Sequence, residues 1–424
     1  MTAKSSSPFR SLVVLISGTS FSQLIVIAVS PVLTRLYTPE DFAVMALFVA
    51  FVQIVGVFAN GRYDAAIYLP KNEGEAYKIA VLGVVIALVI STGTLLLVVL
   101  LGESAARFWN IPQLENWLWF LPIAIFFTGV FSIAQAASIR LAAYKAIAAA
   151  NIVKALVQAG LQVLLGLVMS GPGGLVIGRT FTSGAANLPL IRTSLAQIGG
   201  HRPWRWLELL ALAREYKRFP LYSAPAGLVN VGNANLLNFA LPVLLGSTTL
   251  GFYTLAMRVL GAPLQQIAGP IGQVFMRNAS HEMRMTGTAR RSFLKGLAAL
   301  SSVSVLLFGS LYFVIEPIFS FVFGSEWAIA GRYAAILMPL FAARFVVSPL
   351  SGIASLTDNR HALAINTLLL TVSMLVLGAS YLDTWDAETL LTWISWSLSC
   401  VYVGYLPVLY WLAANHRRSD TDHV

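Results

Sequence analysis

Four basic residues sit where few proteins keep charge: Lys154, Arg179, Arg258 and Arg344 all fall inside long apolar runs. Arg258 lies in TLAMRVLGAP with no acidic residue nearby, and Arg344 in MPLFAARFVVSPLSG. A guanidinium stays protonated at any physiological pH, so a permanent charge in such a place faces water, a partner or a ligand. If the run around Arg258 enters a membrane near Gly251, Arg258 is about ten residues or ~15 Å deep, the middle of a ~30 Å core. Keeping it there costs about 3 kcal/mol on insertion scales, a large fraction of a net stability of about 5–15 kcal/mol. Arg344 is comparably deep. Lys154 and Arg179 lie nearer a span end and could snorkel to the headgroups.

The elements that must position these cations are membrane helices. Of the 424 residues, 57% are hydrophobic and 11% charged, and mean hydropathy is +0.75; soluble domains carry about twice that share of charge. Twelve apolar segments long enough to span a bilayer are centred near residues 22, 50, 87, 127, 158, 184, 231, 262, 304, 340, 370 and 401. Such unbroken runs exclude a β-barrel, whose strands alternate at every second residue. The first run, Ser11 to Leu33, follows Lys4 and Arg10 but outlasts the apolar core of a secretory signal, so it is expected to be retained. The expected fold class is an all-α polytopic membrane protein of about 12 transmembrane helices.

Charge then orients the chain. Most of the 28 Lys and Arg residues fall in alternate loops, such as Arg62, Lys71, Lys78, Arg140, Lys145, Arg202, Arg205, Arg277 and Arg284, whereas only Arg35, Arg107 and Arg332 fall on the opposite side. By the positive-inside rule both termini are cytoplasmic, which requires an even number of spans. The net charge of +10 therefore marks topology, and no nucleic-acid partner is expected. All 18 acidic residues fall in loops, tails or segment ends, with Asp64 and Glu316 the closest to the membrane. Asp64, two residues from Arg62, reads as half of a structural ion pair. The single cysteine, Cys400, and five scattered histidines offer no metal cluster, and catalytic constellations are absent. Neither a cofactor nor an enzymatic activity is expected.

The longest polar interval, HRPWRWLELLALAREYKRF, divides the chain into an N-terminal six-helix bundle (1–197), a basic cytoplasmic linker (198–219) and a C-terminal six-helix bundle (220–424). Trp204 and Trp206 beside Arg202 and Arg205 suit a membrane interface, or a positive loop that fixes topology. The halves are weakly alike: PVLTRLYTPEDFAVMALF from Pro31 aligns with PVLLGSTTLGFYTLAMRV from Pro242, and Pro122 with Pro339. Two parallel repeats with a substrate path where they meet is a transporter plan.

Polar residues inside the spans admit two readings. Gln265, Gly269 and Gln273 follow Arg258 at i+7, i+11 and i+15, a polar or small face that either lines a cavity or forms a packing seam. The seventh span carries Tyr222, Asn230, Asn233, Asn235 and Asn238, and the first two carry Gln23, Gln53 and Asn60. Such groups both donate and accept, which suits sugar hydroxyls and interhelical bonds alike. Prolines 31, 122, 225, 242, 263, 270 and 339 are expected to kink helices.

The stretches RLYTPEDFAVMALF, NGRYDAAIYLPKNEGEA, RFPLYSAPAGLVNVGNANLLNFALPVLLGSTTLGFYTLAMRVLGAPLQQIAGPIGQVFMRNAS and FVFGSEWAIAGRYAAILMPLFAARFVVSPLSG resemble the polysaccharide biosynthesis, or oligosaccharide flippase (Wzx-type), family. That family belongs to the multidrug, oligosaccharidyl-lipid and polysaccharide exporter superfamily. The resemblance implies two six-helix bundles forming a V-shaped central cavity. It implies movement of an undecaprenyl-diphosphate-linked oligosaccharide, an O-antigen or exopolysaccharide repeat unit, across the bacterial inner membrane. The implied partners are that glycan, membrane lipids, a polysaccharide polymerase and a chain-length regulator. The family's cationic cavity would be met here by Arg258, Arg344, Arg179 and Lys154, with Gln23, Gln53, Asn60, Tyr222, Asn230, Asn233, Gln265 and Gln273 as sugar-contact candidates. The rival within the superfamily is a cation-coupled drug or small-molecule antiporter, which needs a membrane-embedded carboxylate.

Overall fold

The computed structural model describes residues 8–195, 204–357 and 360–415. Among them there is no strand. The helices are α1 (Pro8–Leu36), α2 (Pro39–Gly56), α3 (Tyr63–Ala66), α4 (Glu73–Phe108), α5 (Leu114–Leu118), α6 (Leu121–Arg140), α7 (Tyr144–Val168), α8 (Gly173–Leu190), α9 (Trp206–Glu215), α10 (Ala224–Leu245), α11 (Ser247–Pro263), α12 (Gly269–Thr286), α13 (Arg290–Tyr312), α14 (Ile315–Phe323), α15 (Ala328–Leu350), α16 (Gly352–Thr357), α17 (Arg360–Asp383) and α18 (Ala387–Ala414).

Each of the twelve expected spans falls on a helical run. Among the described residues nine of these are long and apolar enough to cross a membrane. The other three are α1, α8 with its embedded Arg179, and the α11–α12 run, which no single regular helix fills. The helix starts follow local chemistry. At α2, Thr38 and Asp41 form a reciprocal capping box, with Asp41 N–H donating to the Thr38 hydroxyl at 3.3 Å and Thr38 N–H to the Asp41 carboxylate at 3.0 Å. At α4, Asn72 accepts the Glu75 N–H at 2.7 Å, satisfying an orphan donor of the first turn.

The prolines divide by position. Pro122 sits in the first turn of α6, where a missing N–H breaks nothing, so it starts a helix instead of kinking one; Pro225 and Pro270 come directly after π turns within continuous helical runs. Between Pro263 and Pro270 the turn Leu264–Ala268 opens to π geometry. A π turn also follows Pro189, at Ile191–Leu195, and another, Phe219–Ser223, contains Pro220. A proline leaves a carbonyl of the preceding turn without its donor, and a wider turn accommodates the defect. Through Leu264–Ala268 the chain stays helical from Ser247 to Thr286. That is about 40 residues or ~60 Å, twice the ~30 Å apolar core.

The described chain forms two compact units, Met1–Gly251 and Phe252–Val424. In the first, α7 packs along α1 and α8, α6 along α4 and α8, and α10 against α2. Tyr37 is wedged between α7 and α8: its hydroxyl donates to Gln162 O at 2.6 Å, and a Cβ on Gly166 or Gly174 would lie 2.6 or 2.0 Å from that hydroxyl. Of the expected linker, residues 198–203 lie outside the described residues, and most of the rest forms α9. Its Leu209 and Leu212 are buried in a cluster with Tyr63, Ile67, Ile79 and Ile133. Lys78 pairs with Glu208 at 2.7 Å, Tyr63 donates to Ala213 O at 3.1 Å, and Tyr216 donates to the Glu75 carboxylate at 2.8 Å.

The same end of this unit holds Arg140, which reaches the Glu73 carboxylate at 3.2 Å and the carbonyls of Ile67 and Pro70, both at 2.8 Å. The loops assigned to one side of the membrane by their charge are thus physically gathered. The expected Arg62–Asp64 pair is not formed: no nitrogen–oxygen approach within 4.0 Å joins them. Arg62 instead takes a left-handed turn conformation (φ 60°), with its N–H on Asn60 Oδ1 at 2.9 Å.

In the second unit α15 is central, packed by α13, α14, α18 and α12. Trp327, Phe341 and Phe345 are fully buried. Ala289 N–H donates to Ala413 O at 2.8 Å at one end, beside Arg290 over Tyr410. At the other end Arg332 pairs with Glu388 at 2.9 Å. Charge is sorted to the ends here as well.

Candidate functional site

In the first unit the structure brings two of the four cations together. α7 and α8 run antiparallel, with Gly178 against Gln158 and Gln162: a Cβ there would meet Gln162 Cγ at 2.6 Å and Gln158 O at 3.3 Å. That register sets Arg179 beside the Lys154 end of α7, within electrostatic range of its ammonium. Both side chains are half-buried. Lys154 does not snorkel outward. Its Nζ lies 4.6 Å from the centroid of Phe131 on α6, in a cluster with Ala134, Ile147, Ala150, Ala186 and Leu190.

The ion pairs among the described residues are Lys78–Glu208, Arg107–Glu103, Arg140–Glu73 and Arg332–Glu388. Lys154, Arg179 and Arg344 belong to none of them. A ring face offers a cation about 0.5–2 kcal/mol without neutralising it, so the charge stays available to an anion.

Two amides near this pair escaped the sequence reading. Gln158 lies one turn from Lys154 at i+4, a spacing that could have found it. Asn187, two turns past Arg179, donates to Phe127 O at 3.2 Å, while its Oδ1 is buried with no hydrogen bond. The aromatic walls, Phe127 stacked obliquely on Phe181 with centroids 6.0 Å apart, and Phe131, carried no chemical signal in the sequence.

In the second unit Arg344 lies on α15 between buried Phe341 and Phe345. Tyr253 of α11, 5% exposed, is within electrostatic range of it. Arg258 lies on α11, half-buried, with Nη1 enclosed. The π turn at Leu264–Ala268 alters the face inferred from regular spacing. One extra residue in that turn shifts the phase by roughly 100°, which swings Gly269 to about 80° from Arg258 but leaves Gln273 within about 40°. Gln265, Gly269 and Gln273 are all exposed.

The remaining sugar-contact candidates fall in several settings. Gln53 joins an interhelical string: Asn235 donates to its Oε1 at 3.1 Å, and Asn238 donates to Asn235 Oδ1 at 3.1 Å. Asn60 is 4% exposed and occupied with the Arg62 turn. Gln23 and Asn233 are half-buried, and Asn230 and Tyr222 exposed.

Comparison with known proteins places this geometry. A family model described as polysaccharide biosynthesis protein matches residues 32–331. No curated protein matches the chain. Among solved structures, the lipid II flippase MurJ in an inward closed conformation has a TM-score of 0.70 at 12% identity, with 93% of this chain and 87% of that chain covered. An outward-facing multidrug resistance transporter of the MATE family and MOP superfamily gives 0.53 at 14% identity, covering 93% and 94%. A MOP superfamily transporter from Pyrococcus furiosus, described as having a binding pocket of reverse polarity, gives 0.53 at 13% identity, covering 94% and 93%. At these identities the likeness carries the fold alone, which is that of the MOP superfamily.

Proposed function

Because the chain belongs to the polysaccharide biosynthesis protein family, we propose that this multi-pass membrane protein is a flippase for an undecaprenyl-diphosphate-linked oligosaccharide, acting by alternating access in the bacterial inner membrane with both termini cytoplasmic. The observation that carries the reading is the state of the embedded cations: Lys154, Arg179 and Arg344 stand in membrane helices outside every ion pair among the described residues.

A diphosphate keeps its negative charge throughout a transport cycle. Arginine forks hold phosphate oxygens without any proton exchange, so cations without acidic partners match a cargo that brings its own charge. Lys154, Arg179, Arg258 and Arg344 are the candidate contacts for that diphosphate. Amides such as Asn187, Gln158 and Gln273 would meet sugar hydroxyls, and the polyprenyl tail would stay in lipid. No covalent bond changes. Delivery would be to a polysaccharide polymerase and its chain-length regulator on the far side.

A cation-coupled antiporter would need a carboxylate in mid-span, and the described carboxylates lie in loops or near helix ends. That favours the flippase reading over the antiporter.

Replacement of Arg344 tests the proposal. In a strain lacking the chromosomal copy, Arg344→Gln should abolish surface glycan at unchanged membrane abundance, with lipid-linked repeat units accumulating on the cytoplasmic leaflet. Arg344→Lys should restore part of the signal. A normal glycan ladder from Arg344→Gln would overturn it.

A further inference from the structure

Between α12 and α13 lies a groove of about 1160 Å³, larger than the roughly 300–1000 Å³ of most small-molecule sites. Its register is fixed at two points. Gly296 abuts the Phe275 ring, 3.1 Å from where a Cβ would stand, and the Glu282 carboxylate accepts the N–H groups of Arg291 and Ser292 at 2.9 and 2.7 Å.

This antiparallel pairing gives the groove two unlike ends. Ile271, Val274 and Ala299 line one, and Arg277, His281, Arg291 and Lys295 the other. All four basic side chains are exposed. The one carboxylate on the groove, Glu282, is engaged in capping α13.

The placement of α13 sets the scale. It is long and apolar enough to cross a membrane from Arg290 to Tyr312, so the groove along Arg291 to Ala299 runs from the headgroup end of that span into lipid depth. A soluble anion would use only the basic end, and an apolar chain only the other. An amphiphile with a phosphate head fits both, since arginine forks match phosphate oxygens and basic residues at the cytoplasmic surface attract anionic lipid.

We propose that the α12–α13 groove is a binding site for an anionic glycerophospholipid, with an acyl chain along Ile271 and Val274 and the phosphate held by Arg277, Arg291 and Lys295. The site is separate from the embedded cations, and the inference does not depend on the cargo proposed above.

Native mass spectrometry of the delipidated full chain, titrated with phosphatidylglycerol or with phosphatidylcholine of the same acyl chains, tests it. Wild type should retain phosphatidylglycerol in preference by roughly tenfold or more, given three charged contacts. The triple variant Arg277→Gln, Arg291→Gln, Lys295→Gln should bring the two lipids to near parity, and Lys295→Gln alone should lose part of the preference should the triple variant fail to fold. Arg284→Gln removes a charge from the same helix outside the groove and should change nothing. Equal retention of both lipids by wild type would overturn the proposal. So would an undiminished preference in both groove variants, a loss as large in Arg284→Gln, or displacement of the lipid by millimolar inorganic phosphate.

Discussion

The Lys154 ammonium stands 4.6 Å from the centre of the Phe131 ring, so a charge on α7 is steadied by an aromatic on α6 and left unneutralised. Phe131→Leu keeps an apolar side chain of similar size and removes the quadrupole, which is worth about 0.5–2 kcal/mol. On the proposed flippase function it should lower glycan export several-fold, with little change in melting temperature in detergent. Lys154→Met, which removes the charge, should lower export further, and a paired export assay and melt of both variants checks the order.

Arg140 ties α6 to three points of the 67–73 connection, two carbonyls and a carboxylate, at the basic end of the first unit. Arg140→Ala should destabilise the protein by about 2–4 kcal/mol, because two carbonyls and a carboxylate lose a charged donor. Glu73→Gln leaves the carbonyl bonds in place and should cost less than about 1 kcal/mol. Thermal unfolding of the two variants should separate them clearly.

A Cβ on Gly174 would stand 2.0 Å from the Tyr37 hydroxyl and 3.1 Å from Gly166 N, whereas one on Gly160 would meet nothing within 4 Å. Gly174→Ala should therefore lower stability by about 1–3 kcal/mol through overpacking. Gly160→Ala, in a helix interior with open space, should be neutral or stabilising by up to about 1 kcal/mol. Opposite shifts in melting temperature are the expected result.

Burial, and then the hydrogen bond to Glu75, push the Tyr216 phenol up from 10.0 to about 12. A raised phenol means the folded state holds its proton longer than the unfolded chain. This contribution is therefore complete below about pH 10 and is lost as pH rises from about 10 to 12. Tyr216→Phe should show a shallower fall in melting temperature over that window than wild type.

The spans were legible because they rest on local composition: apolar length gave the twelve runs, and basic loops marked the common end at which Arg140 and Glu208 gather their neighbours. Partners were not legible. Depth along α7 suggested that Lys154 would reach outward, but Phe131 on another helix draws it in. The amides of the seventh span admitted two uses, and only the approach of α2 gave Gln53 and Asn235 to each other. Arg62 and Asp64 are close in sequence, yet a left-handed turn keeps them apart. Prolines flagged where helices could bend, but Pro122, in a first turn, starts a helix instead.

A π turn holds one residue more than the regular turn it replaces, so the eighth span carries a surplus residue between Leu264 and Ala268. Deleting one residue there would absorb the surplus and leave Gly269 to Thr286 on their present faces, whereas closing the turn to ordinary pitch at full length would rotate all of them by about 100°. The side of α12 now bearing Arg277 and His281 would turn away from α13, and the Phe275 edge would lose its seat on Gly296. The phasing of α12 is thus set by a single extra peptide unit next to Pro263.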